Sequence, residues 1–108
     1  AVLAAMRGHP AHRPVQEKGC STLQNLARAA RSRERIVQAG GVAAVLQAMK
    51  GHVVSPGVQQ RGCGALWNLA LSPAHRAAIV QAGGLVAVQD AMHHHPSHAG
   101  VQKMGAGA

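Results

Sequence analysis

Apolar residues recur every three or four positions along most of the chain, a spacing that is typical of amphipathic helices. In residues 14–29 the apolar face consists of Val15, Gly19, Leu23 and Leu26, and 43 residues later it consists of Val58, Gly62, Leu66 and Leu69. The pattern predicts a long helix that starts at Pro14, and a twin that starts at Pro56 with Ser55 as its N-cap. Small residues at 19 and 62 would let a neighbouring helix approach closely.

Two shorter helices are predicted after each long one. The first covers residues 32–39 and 73–82, with Ser32 and Ser72 as N-caps, and the other covers residues 42–50 and 85–93. The glycine pairs at 40–41 and 83–84 predict a sharp turn between them. Residues 1–7 match 44–50 and predict the end of an earlier helix, with Gly8 and Gly51 in left-handed turns after it.

The landmarks of these elements repeat with a constant step of 43 residues, as in Cys20 and Cys63 or Asn25 and Asn68. A step of about 40–47 residues is typical of stacked helical repeats. We therefore divide the chain into a partial repeat (1–29), a repeat (30–72) and a truncated repeat (73–108). The chain starts without Met and stops within a third copy, so we expect a segment of a longer solenoid. Its open ends would contact neighbouring repeats or drive self-association.

Two motifs carry a family resemblance: AGG-V-x-x-V-L-x-x-M from Ala39 to Met49, and G-C-x-x-L-x-N-L-A from Gly19 to Ala27. With this order of helices, essentially the whole chain resembles the armadillo repeat family. The resemblance implies an all-α fold, a right-handed α-solenoid of three-helix repeats. It also implies a concave groove, lined by the long helices, that binds extended peptides.

A helical projection of the long helices predicts which residues line this groove. The projected stripe comprises Glu17, Lys18, Ser21, Gln24, Asn25 and Arg28, then Gln60, Arg61, Gly64, Trp67, Asn68 and Leu71, and then Lys103 and Met104. The nine predicted groove residues among them are Lys18, Ser21, Asn25, Arg28, Arg61, Gly64, Trp67, Asn68 and Leu71. Asn25 and Asn68 match the groove asparagine of importin-α-like repeats, which clamps a peptide backbone. The tryptophan that those repeats carry four residues earlier is replaced by Ser21 and Gly64. Trp67 is either an exposed anchor for a partner or a filler against the next long helix.

The charge balance favours an acidic partner. The chain has 11 Lys and Arg against 3 Asp and Glu, which gives a net charge of +8. An Ala-, Gly-, Arg- and His-rich genome would produce the same balance without any function. One Trp and no Phe or Tyr leave no stacking platform for bases, which argues against nucleic acid. Charge-driven binding to RNA or a membrane is the weakest hypothesis.

The sequence predicts no enzyme, no cofactor and no metal site. Glu17, Glu34 and Asp90 fall on different helices, and no catalytic triad, phosphate loop or C-x-x-C is present. His95 and His98 have a spacing that would allow metal binding, but no Cys or carboxylate stands beside them, so we interpret them as loop histidines.

The compartment is predicted from the cysteines and from missing segments. Cys20 and Cys63 occupy equivalent positions of stacked helices, too far apart for a disulfide, and are expected to be buried thiols in a reducing compartment. There is no apolar run of about 18 residues and no signal-peptide pattern. The cytoplasm is the predicted location, with the nucleus as the alternative.

Two hypotheses of function follow. In the first, the chain is a protein-interaction scaffold that binds an extended acidic peptide in the groove. In the second, it is an architectural spacer within a larger assembly, for example a cytoskeletal one. An indole of Trp67 that is open to solvent would favour the scaffold, and one buried between repeats would favour the spacer.

Overall fold

The apolar spacing of the sequence becomes a succession of α-helices joined by short turns. The computed structural model describes the backbone of residues 2–107 and the side chains of residues 2–104. Within this part the chain forms eight helices and no strand. They are α1 (Val2–Gly8), α2 (Arg13–Leu26), α3 (Ala30–Gln38), α4 (Gly41–Gly51), α5 (Pro56–Leu69), α6 (Pro73–Gln81), α7 (Gly84–His94) and α8 (Ala99–Gly107). The predicted all-α class is confirmed.

The helix ends repeat with the step of the sequence. Helices α2, α3 and α4 form the first copy, and α5, α6 and α7 form the second copy, with each boundary 43 residues later. The ends of α1 and α4 are related by the same step, as are the starts of α5 and α8. None of the described helices combines the length and the apolar content that a membrane crossing requires.

The long helices pack side by side, and the core lies behind them. Helix α5 contacts α2 on one side and α8 on the other, while α4 and α7 pack against it from behind. The largest fully buried side chains are Leu23, Leu66, Leu69, Val45, Val58, Val101, Cys20 and Cys63. A Cβ placed on Gly19 would stand 2.5 Å from Sδ of Met6, and one on Gly62 would stand 2.6 Å from Sδ of Met49. The predicted close approach at these glycines is therefore confirmed.

Each long helix starts at an equivalent N-cap residue. Ser55 Oγ accepts a hydrogen bond from the backbone N–H of Val58 at 3.4 Å, as predicted. His12 Nδ1 accepts one at 3.3 Å, and His98 Nδ1 accepts one at 3.1 Å, at the same position of their own copies. Because imidazole nitrogen and serine oxygen can both accept a first-turn N–H that has no partner within its helix, the three caps are equivalent in function.

The predicted end of the first long helix and the predicted start of α3 are wrong. Helix α2 ends at Leu26 rather than at residue 29, and α3 starts at Ala30, so Ser32 lies inside it. The guanidinium of Arg33 explains the early end, since its Nη1 donates to the carbonyls of Ala27 and Arg28 at 3.0 and 3.1 Å. These donors replace the helical bonds that a longer α2 would have made. Ser72 is the residue before α6, as predicted, but its hydroxyl accepts from Arg33 Nε instead of capping.

A glutamine, which the sequence did not reveal, joins each long helix to the turn before it; this residue is buried in α2 and α5 and half-buried in α8. Gln59 is 2 % exposed, and its Nε2 donates to the carbonyls of Met49 and His52 at 2.8 and 2.9 Å. Gln16 and Gln102 make the same pair of bonds in their copies. We call this arrangement the glutamine clasp.

The clasp accounts for a second wrong prediction, the left-handed turns at Gly8 and Gly51. Both glycines end a helix without a positive φ, and among the described residues only Gly40 and Gly83 have one, at 86° and 97°. A left-handed residue normally supplies N–H donors to the last carbonyls of a helix. Here the clasp supplies a donor from outside the helix, so the left-handed turn is not needed. The sharp turns predicted at residues 40–41 and 83–84 are confirmed.

Candidate peptide-binding groove

The structure brings eight of the nine predicted groove residues to the open or half-open surface of α2, α5 and the turns after them. Lys18, Asn25, Arg28, Arg61, Trp67 and Leu71 are exposed, and Ser21 and Asn68 are half-buried. Because α2 and α5 lie side by side, this surface is continuous across the two copies. The open side of α2 and α5 that carries these residues is the candidate groove.

Gly64 is buried, so its predicted place on the groove surface is wrong. The amide of Gln24 lies directly against it, in the space that a Cβ would occupy. The glycine is needed for this close approach of α2 to α5, and it offers no surface to a ligand. The predicted place of Gln24 on the open stripe is wrong for the same reason, since its side chain packs on Gly64 and is only 9 % exposed.

Polar side chains cross from each long helix to glycines of the next. Glu17 lies against Gly57 of α5 in the same manner as Gln24 lies against Gly64, and Gln60 lies against Gly100 of α8. Gly57 and Gly64 are two helical turns apart and therefore lie on one side of α5. The floor of the candidate groove is thus partly made of side chains that reach over from the preceding helix.

The two matched asparagines differ in their contacts. Asn68 Nδ2 donates to the carbonyl of Gln24 at 2.7 Å and so joins α5 to α2. Its Oδ1 and second amide proton are left for another partner. Asn25 is exposed. Asn25 can therefore offer its whole amide to a peptide backbone, as the resemblance implies, whereas Asn68 already uses one of its donors within the fold.

Trp67 lies on α5 and is 36 % exposed. In the repeat register it corresponds to Gln24, which is the residue that crosses to Gly64, and Gly107 corresponds to Gly64. The indole is therefore larger than the side chain that the first copy has at this position, and about a third of it is open. Leu71, one helical turn later, is 49 % exposed. Together they form an apolar patch at the side of the groove.

The charged groups of the groove are mainly cations. Lys18, Arg28 and Arg61 are exposed, and Arg61 is one to two turns from Trp67 on α5. The one acid of the α2 face, Glu17, forms an exposed ion pair with Arg13 at 3.4 Å between Oε1 and Nη1. Because that pair neutralises Glu17 locally, the remaining groove charges favour an anion.

The histidines and cysteines take part in structural contacts. His52 Nε2 lies 2.8 Å from the carbonyl of Pro10, and His95 Nε2 lies 2.7 Å from that of Val53. Among the described residues, no three His, Cys, Asp or Glu side chains come together as a metal site requires. Cys20 and Cys63 are free and buried, as predicted. Burial raises the pKa of Cys20 to about 12 and that of Cys63 to about 11, so neither thiol is a nucleophile at neutral pH.

Comparisons with models of protein families, with curated proteins and with solved structures gave no match to this chain.

Proposed function

We propose that this chain is part of an armadillo-type, right-handed solenoid that acts as a protein-interaction scaffold. In this proposal the candidate groove binds an extended acidic segment of a partner protein. The 43-residue step of the helix ends and the side-by-side long helices support the solenoid. The free, buried cysteines suit a reducing compartment, so the proposal assigns the cytoplasm or the nucleus.

The observation that carries the proposal is the partly exposed Trp67, on a face whose exposed charged groups are mainly cations. A large aromatic side chain that is partly open, with Leu71 one turn away, can anchor an apolar residue of a partner. Lys18, Arg28 and Arg61 would then attract acidic residues on either side of that anchor. Asn25 can donate to and accept from the peptide backbone without selecting a sequence.

The fluorescence of Trp67 gives a direct test, because the chain has no other aromatic residue of the Phe, Tyr or Trp type. We would titrate a short extended peptide of Glu and Leu residues into the chain, with a peptide carrying Lys in place of each Glu as the matched control. The acidic peptide should shift the emission of Trp67 to shorter wavelength and saturate, and the Lys peptide should not.

Three variants separate the parts of the groove. Trp67→Ala, followed by calorimetry, should lose about 2 kcal/mol of binding free energy at any salt concentration. Arg61→Glu should weaken binding mainly at low salt, because an exposed pair contributes only about 0.2–1 kcal/mol and is screened. Asn25→Ala should weaken binding without changing the preferred peptide. If all three variants bind like the parent and stay helical, the groove is not the binding surface.

A second candidate function is the architectural spacer. The bond from Asn68 to the Gln24 carbonyl favours it, because this asparagine then serves the contact between copies. A spacer predicts that neither peptide changes the emission of Trp67 and that Asn68→Ala acts only on stability. Saturable binding of the acidic peptide would refute the spacer.

A further inference from the structure

Helices α1, α4 and α7 form one side of the molecule, with a crevice between α1 and α4 and an equivalent crevice between α4 and α7. An arginine closes the first of them. Between α1 and α4, Arg7 Nη2 donates to the carbonyl of Ala39 at 2.7 Å, at the C-terminal end of α3. The same nitrogen stands 2.8 Å from the position that a Cβ on Gly40 would take. A cation is favoured there because the carbonyl end of a helix carries partial negative charge. The crevice that remains has a volume of about 170 Å³.

The equivalent crevice between α4 and α7 is larger and lacks this closure. Its volume is about 320 Å³, and its apolar wall includes Leu46, Met49 and Val86. Lys50 has the position of Arg7, but no bond from it to the carbonyl of Ala82 forms among the described residues. Apart from the adjacent residues of the chain, no described residue comes within 4 Å of the position that a Cβ on Gly83 would take. The space that the guanidinium fills in the first crevice is open in the second.

The second crevice also has a carboxylate that the first one lacks. Asp90 lines it at the position of Gln47. Of the three acids in the chain, Glu17 pairs with Arg13, and Glu34 accepts from Gln38 Nε2 at 3.3 Å. Among the described side chains, the carboxylate of Asp90 has no such partner. The crevice therefore combines a helix end, a carboxylate and an apolar wall.

We propose that the crevice between α4 and α7 binds an arginine side chain of a partner protein. The planar guanidinium can donate to the Ala82 carbonyl and to the Asp90 carboxylate at once, while its alkyl stem lies on the apolar wall. The ammonium of Lys50 is a compact and strongly hydrated charge on a flexible stem, which makes it a weaker occupant of the same space. This site is separate from the candidate groove, so either proposal can fail without the other.

The test uses small probes of the side chain and the whole 108-residue chain. N-acetyl-arginine amide is titrated into isotope-labelled protein, and the backbone amide signals of Gly83 and Asp90 are followed by NMR. N-acetyl-citrulline amide has nearly the same shape without the charge, and N-acetyl-lysine amide has the charge without the fork. We expect both controls to bind about tenfold more weakly than the arginine probe, since each lacks the charged bidentate contact.

Two substitutions of one residue should act in opposite directions. Lys50→Arg should close the crevice from inside, as Arg7 does, and reduce probe binding at least about tenfold while the helical spectrum is kept. Lys50→Ala removes the competing cation and should tighten binding.

Asp90→Asn should weaken binding of the arginine probe. Gln47→Glu places a carboxylate at the equivalent position of the first crevice, and we expect no probe to bind there because Arg7 already closes that crevice. Equal binding of citrulline and arginine, signal changes that avoid Gly83 and Asp90, or weaker binding by Lys50→Ala would each overturn the proposal.

Discussion

The glutamine clasp should be a major source of stability, and Gln59 is the member to test. Its side chain is 2 % exposed, and one Nε2 serves two carbonyls, those of Met49 and His52. Gln59→Met keeps the length and approximate volume of the side chain but removes both donors. The Met49 carbonyl then stays buried without this partner, whereas that of His52 is half-buried and can take water.

The expected loss follows from these two environments. A buried polar group that loses its partner costs about 1–3 kcal/mol, and the half-buried carbonyl adds the net value of one bond, about 1 kcal/mol. We therefore expect Gln59→Met to lower the free energy of unfolding by about 2–4 kcal/mol, a large share for a chain of this size. Gln59→Glu should cost more, because a carboxylate would face two carbonyl oxygens.

Urea denaturation followed by circular dichroism measures this loss, with the emission of Trp67 as a second probe. Gln81→Met is the matched control, because Gln81 is exposed on α6 and the substitution is the same. If Gln59→Met unfolds within about 0.5 kcal/mol of the parent, as surface substitutions do, the clasp is not a source of stability.

Three further predictions concern the helix contacts and the thiols. Gly62→Ala should destabilise the fold by about 1 kcal/mol or more, because its Cβ would collide with buried Met49. Gly57→Ala should be neutral or stabilising, because half-buried Glu17 can move aside, and thermal unfolding of both variants tests the difference. Arg33→Ala should cost about 1–2 kcal/mol through the lost bonds to Ala27, Arg28 and Ser72, and Arg33→Lys should restore little of it in the same melting assay. Burial raises the pKa of Cys20 to about 12 from an ordinary 9.0. The free energy of unfolding should therefore keep its full value below pH 9 and fall above it, because there the thiol ionises in the unfolded chain and stays neutral in the folded one. If iodoacetamide modifies the native chain at pH 8 as fast as the unfolded chain, this burial is contradicted.

The sequence was sufficient for the elements that depend on local periodicity. The apolar faces of α2 and α5 are four residues at helical spacing, and that spacing needs no knowledge of the neighbours. Leu26 is the exception, because it is 47 % exposed whereas its counterpart Leu69 is buried. The turns at Gly40 and Gly83 were also predictable, because a positive φ there needs glycine. The repeat of 43 residues likewise predicted the order and type of helices α1 to α7.

The wrong predictions share a physical cause, which is a contact with a side chain of another helix. The end of α2 is set by Arg33, and the turn after Gly51 by Gln59. Gly64 is covered by Gln24, 40 residues away in the sequence. A helical projection gives the direction of a side chain but not the element that covers it. The glycines at 57 and 64, spaced by two turns, were the available indication that another helix comes close.

A comparison of the two copies separates the residues that hold the fold from those open to function. The clasp glutamines, the capping arginines 33 and 76, and the methionines 6 and 49 are the same residue type in each copy, because each satisfies a contact that every copy must make. A position whose residue type differs between the copies is not required for a contact that every copy must make.

Several such changes meet at the two proposed sites. Gln24 and Arg28 become Trp67 and Leu71 at the groove, while Arg7 and Gln47 become Lys50 and Asp90 at the crevice. The exposed members of these pairs make one face of the second copy more apolar and open a charged crevice between the two copies. Since the architecture is already satisfied by the shared residues, these differences are where selection for binding can act without cost to the fold. We therefore expect the partner segment to dock at Trp67 and Leu71 of the second copy, and the arginine side chain to dock between α4 of the first copy and α7 of the second.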